Sequence, residues 1–172
     1  MHRRTLLQSM AALVALPAFA SLARAATQIV DIVVPTLRKP KDAWQKLLPP
    51  ASYAVMFEEN TERAFTSPLL NEHRDGTFVC AACFLPLFLS KNKFDSGTGW
   101  PSFTQCIAGH AAFKQDFKLA FEERTEYHCA RCGGHQGHVF DDGPAPLGKR
   151  WCNNGVALDF IPKGQPLPAW RT

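Results

Sequence analysis

The sequence predicts an antiparallel, mainly β domain preceded by short helices. Three observations carry that prediction. Thirteen Pro and eleven Gly in 172 residues interrupt the chain too often for long helices. Past residue 76 the apolar runs are short and are separated by Gly, Pro and Asp turns. Val156, Leu158 and Phe160 alternate with Ala157, Asp159 and Ile161 at the strand period of two. A composition of 46% hydrophobic and 20% charged residues suits one core and excludes a disordered or fibrous chain.

The N-terminal residues read as an address. Paired Arg3-Arg4, the uncharged stretch Ser9 to Ala23 and the small-residue site Ala23-Arg24-Ala25 describe an export signal. The stretch is shorter than the roughly 20 residues that span a bilayer, and Pro17 interrupts it. Arg3-Arg4 followed by Thr5-Leu6-Leu7 resembles a twin-arginine signal, with an ordinary Sec signal as the alternative. The expectation is a periplasmic or exported protein, with residues 1–25 as signal, 26–40 as linker and 41–172 as the domain. Removing 1–25 leaves 16 basic and 15 acidic residues. The formal charge of +4 is therefore largely the address, and no nucleic-acid footprint or stable membrane association is expected of the remainder.

Gln28 to Val34 reads as a strand within a tether bracketed by Pro35 and Pro40. Asp42 with Gln45 forms a candidate capping box. Trp44, Leu47 and Leu48 follow at helical spacing, and Pro49-Pro50 end the helix. Ser52 to Asn71 suggests one more short helix and a loop. Strands are expected at Thr77 to Cys80, Phe84 to Leu89, Leu119 to His128, Val139-Phe140 and Val156 to Ile161.

Two C-x-x-C pairs, Cys80/Cys83 and Cys129/Cys132, carry the first chemistry. Each pair can turn two sulfurs to one side of a tight knuckle, and four thiolates at about 2.3 Å satisfy a tetrahedral Zn²⁺ with no open position, which makes the site structural. Two disulfides would suit an exported protein. A thioredoxin-like motif would need a βαβ setting that this pattern lacks.

Cys106 and Cys152 remain. In an extended Arg150-Trp151-Cys152, the arginine and the thiol share a face, and the guanidinium would lower the thiol pKa; the alternative is a buried, inert thiol. His135 and His138 could tune a thiol and supply protons, or form a surface pair or a second metal site. The loop Lys93 to Phe103, with Gly97, Gly99 and Pro101 around an aromatic, suggests Trp100 and Phe103 as walls of an apolar pocket, against the alternative of a core tryptophan.

Taken in order, Cys80-x-x-Cys83, Lys93-Phe94-Asp95-Ser96-Gly97-Thr98-Gly99-Trp100-Pro101-Ser102-Phe103, Arg124-Thr125-Glu126, Cys129-x-x-Cys132, His135-Gln136-Gly137-His138-Val139-Phe140, Asp142-Gly143-Pro144 and Arg150-Trp151-Cys152-Asn153-Asn154 resemble the peptide-methionine (R)-S-oxide reductase family, the B-type methionine sulfoxide reductases, over about residues 42–162. The resemblance implies a mainly β, Mss4-like fold of two antiparallel sheets, short N-terminal helices and a structural zinc on Cys80, Cys83, Cys129 and Cys132. It implies Cys152 as nucleophile, Trp100 as the contact of the substrate ε-methyl group, and Arg150 and Asn154 as groups that place the catalytic atoms. His135 or His138 would deliver the proton, and Phe140 and Asp142 would support the pocket. Oxidised proteins or peptides containing methionine sulfoxide would be the substrates, a thioredoxin-like or other thiol the reductant, and a monomer the working form.

The chain departs from that pattern in four places. Thr98 stands where many members carry a resolving cysteine, which leaves an external thiol or Cys106 to reduce the oxidised nucleophile. Gln136 replaces an apolar residue, Trp151 a Tyr or Phe, and Asn153 a branched aliphatic; all three are expected at the pocket rim. Two other classes compete with the enzyme: a zinc-dependent binding module with an inert Cys152, and a disulfide oxidoreductase using the C-x-x-C pairs.

Overall fold

Proline placement organises the first part of the domain. In the computed structural model, which describes residues 33–116 and 124–172, α1 (Lys41–Leu47) starts after Pro40 and α2 (Pro50–Glu58) starts after Pro49. Pro50 at the first turn of α2 needs no N–H there, so the second proline opens a helix as the pair closes the one before it. The capping box at Asp42 is not formed: Pro40 is the N-cap, without a side-chain cap, and Asp42 lies in the first turn, where its charge still favours the helix dipole. Trp44 and Leu48 are buried as expected, whereas Leu47 faces solvent. Trp44 stacks on Phe57 at 5.3 Å, which joins the two helices.

The export signal expected over residues 1–25 lies outside the described residues, as does most of the strand expected over 28–34. Residues 33 and 34 carry no strand. The later part of the tether docks: Leu37 donates its N–H to the Arg131 carbonyl, and Val34 and Leu37 pack on the core.

Nine strands follow among the described residues: β1 (Gly76–Cys80), β2 (Pro86–Leu89), β3 (Lys93–Phe94), β4 (Ser102–Phe103), β5 (Ala111–Asp116), β6 (Arg124–Cys129), β7 (His135–Phe140), β8 (Arg150–Asn153) and β9 (Leu158–Pro162). They form two antiparallel sheets, β2-β1-β9 and β3-β4-β8-β7-β6-β5. The strand expected at Val139-Phe140 begins already at His135, the first residues of the one expected over 119–128 lie outside the described residues, and two further boundaries differ from the sequence expectation for local reasons. Phe84 turns at φ 63° and ends the first knuckle, so β2 begins only at Pro86. Residues 155–157 wind into a 3-10 turn, so the alternating segment becomes a strand only from Leu158.

The core lies between the sheets. Phe78 and Phe88 from the small sheet meet Phe103, Tyr127 and Trp151 from the large one. Phe88 stacks on Phe103 at 4.1 Å, and Tyr127 meets Trp151 edge-on at 4.9 Å. Burial of each such ring contributes about 1.5–3 kcal/mol. Phe103 therefore belongs to this core and is not a pocket wall.

Strand register sorts the large sheet into rows. Phe103, Trp151 and Val139 pair across β4, β8 and β7 in one row, and Ser102, Cys152, His138 and Glu126 pair across β4, β8, β7 and β6 in the next. Because side chains alternate faces along a strand, the first row feeds the core and the second faces away from it.

Candidate active site and metal centre

The metal centre is built from two knuckles. The loop from Cys80 to Leu85 and the loop from Cys129 to Gly134 each close with a backbone bond: Phe84 N–H to the Cys80 carbonyl and Gly133 N–H to the Cys129 carbonyl. Gly133 takes a φ of +72°, which a side chain would strain. The four sulfurs lie within 4.8 Å of one another, with Cys80 Sγ to Cys132 Sγ at 3.6 Å and Cys83 Sγ to Cys129 Sγ at 3.5 Å. A tetrahedron of Zn–S bonds has edges of about 3.8 Å, so the residues fit the ion. The chemistry agrees: burial pushes the Cys80 thiol up, and a cation is what lets such crowded sulfurs ionise together. All six cysteines are free of disulfides.

The second site opens on the outer face of the large sheet. Cys152, on β8, sits in register with Ser102 on one side and His138 on the other. A pocket of about 110 Å³ is lined by Thr61, Trp100, Arg124, Gly137, His138, Phe140, Cys152, Asn153 and Asn154. That is room enough for a side-chain tip. Two larger grooves, of about 470 and 480 Å³, are lined by no cysteine or histidine. Gly137 is required where it stands, because a Cβ there would lie 1.9 Å from the Cys152 carbonyl oxygen.

Arg150 shares the Cys152 face and makes a two-pronged ion pair with Asp142, at 2.8 and 2.9 Å. Its guanidinium lies 4.3 Å from the Phe140 ring centre. The expected lowering of the Cys152 thiol is not the net result. Burial pushes it up, while the Arg150 charge and hydrogen bonds from Thr98 and Arg150 pull it back without cancelling that effect. The Asp142 charge further weakens the pull.

The histidines do different work. His138 lines the pocket. His135 is buried, with Nδ1 2.9 Å from Glu126 Oε1. Residues three apart on a strand normally face opposite ways. A register shift between Tyr127 and His128 lets His135 pair with His128 and Gly137 with Tyr127, so Gln136 is an extra, bulged residue. The bulge restores the two imidazoles to one neighbourhood, 5.5 Å between ring centres.

The structure also supplies a residue that the sequence motifs pass over. The Glu62 carbonyl accepts the Trp100 Nε1–H at 2.9 Å, and the Glu62 N–H donates to Asn154 Oδ1 at 2.9 Å. Its carboxylate accepts the N–H groups of Gly155 and Val156. One residue thus clamps both walls of the pocket; no local motif marks it, because its partners lie 38 and 92 positions away.

Three other expectations shift. Trp151 packs on the core rings Phe88 and Tyr127, and Gln136 is fully buried, so neither is a rim residue. Asn153 lines the pocket but is itself buried. Cys106 lies outside the pocket lining: it is buried, its Sγ donates to the Leu87 carbonyl, and burial pushes its thiol up to about 12.

The family described as the SelR domain matches residues 48–162. Among curated proteins, the chain is 48% identical over 126 residues to the peptide methionine sulfoxide reductase MsrB of Bradyrhizobium diazoefficiens, covering 73% of this chain and 90% of that one. It is 45% identical over 124 residues to the protein of the same name from Methanosarcina barkeri, covering 72% and 87%. With that of Agrobacterium fabrum it shares 44% over 132 residues, covering 77% and 98%.

Proposed function

Because the chain belongs to the SelR-domain family of peptide methionine sulfoxide reductases, we propose that it reduces methionine (R)-sulfoxide in proteins or peptides to methionine, with Cys152 as nucleophile. The observation that carries this reading is the pocket itself. Its single thiol shares the lining with an indole and an imidazole, and the imidazole is in register with it on the neighbouring strand.

Trp100, clamped by Glu62, offers an apolar surface to the ε-methyl group. Cys152 Sγ attacks the sulfoxide sulfur as His138 protonates its oxygen, and His135, buttressed by Glu126, lies behind it; the oxygen then passes to Sγ as the Sγ–S bond breaks and methionine leaves. The two-electron balance closes on the thiol: the sulfoxide is reduced to methionine and Cys152 is oxidised to a sulfenic acid. An external thiol then attacks that sulfur, releasing water and forming a mixed disulfide, and a second thiol frees Cys152. Thr98 at the usual resolving position and the burial of Cys106 beside Leu87 both favour this external route. Zinc on the four clustered cysteines supplies folding free energy and no chemistry at the pocket. Residues 1–25 fit a twin-arginine export signal, so we place the work in a periplasmic or external compartment, as repair of oxidised exported proteins by a monomer.

The test is epimer-resolved. Purified protein with a dithiol should consume the R epimer of a methionine sulfoxide peptide and leave the S epimer. One equivalent of substrate without reductant should leave Cys152 alone oxidised by mass spectrometry. A Cys106–Cys152 disulfide would overturn the external route, and turnover surviving in Cys152→Ser would overturn the nucleophile.

A further inference from the structure

We propose that Gln136 is a positioning residue that ties the cysteine-bound metal to the strand carrying the nucleophile. The inference rests on the proposed roles of zinc and Cys152, and it starts from the bulge in β7. Gln136 is the extra residue there, and its carbonyl faces β8, beside the Gly137–Asn153 pair. That carbonyl accepts both the Asn154 backbone N–H, at 2.8 Å, and the Asn154 Nδ2–H, at 2.9 Å. The main chain of Gln136 therefore holds Asn154, a pocket residue, in place.

The side chain runs the other way. Gln136 Nε2 lies 3.7 Å from Cys80 Sγ, within reach of an N–H···S bond, and Oε1 accepts from Asn153 Nδ2 at 3.4 Å. Asn153 Oδ1 accepts the Tyr127 hydroxyl at 2.7 Å, and that hydroxyl lies 3.4 Å from the Cys152 carbonyl oxygen. Gln136, Asn153 and Tyr127 are all fully buried. The line of polar groups thus passes from a metal-binding sulfur to the backbone of the nucleophile through the protein interior.

Two of the chain's departures from the family pattern, Gln136 and Asn153, are partners in this one line. An apolar pair at these places would fill space without donating to the sulfur. A donor aimed at a metal-bound thiolate draws off part of its charge and fixes its orientation, and partners of this kind typically change metal affinity by 10–100-fold. Buried amides are also costly to leave half-satisfied, so the line should act as a unit.

The test uses metal-loaded full chain carrying Gln136→Met, which keeps the volume and removes the donor, alongside Asn153→Val and the double variant. Zinc loss to an excess of a coloured chelator is followed well below the melting temperature, and Cys152 alkylation by iodoacetamide is followed in the same samples. We expect Q136M to lose zinc about 10-fold faster than the parent and to change the Cys152 alkylation rate. The double variant should recover part of the melting temperature lost in Q136M while still losing zinc fast. Parental zinc retention in Q136M, or altered retention with unchanged Cys152 alkylation, would overturn the proposal. If Q136M does not fold, the double variant takes its place in both measurements, and parental zinc retention or unchanged Cys152 alkylation there overturns the proposal equally. Turnover of the unsubstituted protein is assayed separately, so failure of the proposed activity and failure of this coupling give different results.

Discussion

The four-cysteine cluster and the pocket both hold cysteine, in opposite surroundings. At the knuckles four thiols are drawn to within 4.8 Å of one another, three of them buried. At the pocket one half-buried thiol stands alone on a sheet face, with His138 in register and Arg150 two residues along the same strand. Crowding with like groups creates a demand for a cation, whereas a lone thiol beside a cation and an imidazole has the surroundings that the proposed nucleophile needs. Residue type sets what a cysteine can do, and the number and polarity of its neighbours select which of those things it does.

Substitution at each region is the sharpest way to break this contrast. Cys83→Ser should have the largest effect. Metal sites of this kind contribute roughly 10 kcal/mol or more of apparent folding free energy, comparable with the whole stability of a domain. The variant should purify without zinc and show no cooperative thermal transition; a parental melt would mean that the knuckles hold without metal. Cys152→Ser should do the reverse. Turnover should fall at least ~10³-fold, as for loss of other covalent nucleophiles, with melting temperature and zinc content unchanged. A large loss of stability would mean that this thiol is structural as well.

The electrostatics of the pocket thiol give a third, intermediate test. Burial raises the Cys152 thiol above its ordinary value, so the thiolate fraction, and with it the alkylation rate, should climb with pH through a midpoint above that of an unperturbed cysteine. Arg150→Met removes the opposing charge and should move that midpoint further up and slow alkylation at about pH 7; a downward movement would show that Arg150 does not favour the thiolate. Cys106→Ser should have the smallest effect, less than about twofold on dithiol-supported turnover, because that sulfur is committed to the Leu87 carbonyl. An effect confined to that variant and abolished by a stronger external thiol would assign Cys106 a resolving role after all.

Much of this was legible along the chain. Paired C-x-x-C spacing announces a tetrahedral thiolate site because a knuckle is local, and the ordered motifs announce the family. The helix at Trp44 and the strands at Phe78 and Leu158 follow from local periodicity and proline placement. The misjudged residues share a different cause. Phe103 looks like a pocket wall because its loop is rich in glycine, but two-residue β4 alternates, and it turns Ser102 toward Cys152 and Phe103 into the aromatic core. Gln136 looks like a rim residue because its neighbours are candidate catalytic groups, but a bulge turns it inward toward Cys80. Arg150 looks sufficient to lower the Cys152 thiol, but desolvation outweighs it and Asp142 occupies its guanidinium.

The sequence by itself determined the two C-x-x-C pairs and the β character of the domain, because each is written in residue types at short, fixed spacing, and its ordered motifs pointed by resemblance to Cys152 as the candidate nucleophile. Tertiary structure alone decided which face each residue takes, how far burial offsets charge at Cys152, and that Glu62, 92 positions from Asn154, clamps the walls of the pocket. Those outcomes depend on strand register and on desolvation. Both are properties of segments distant in the chain, and no local pattern encodes them.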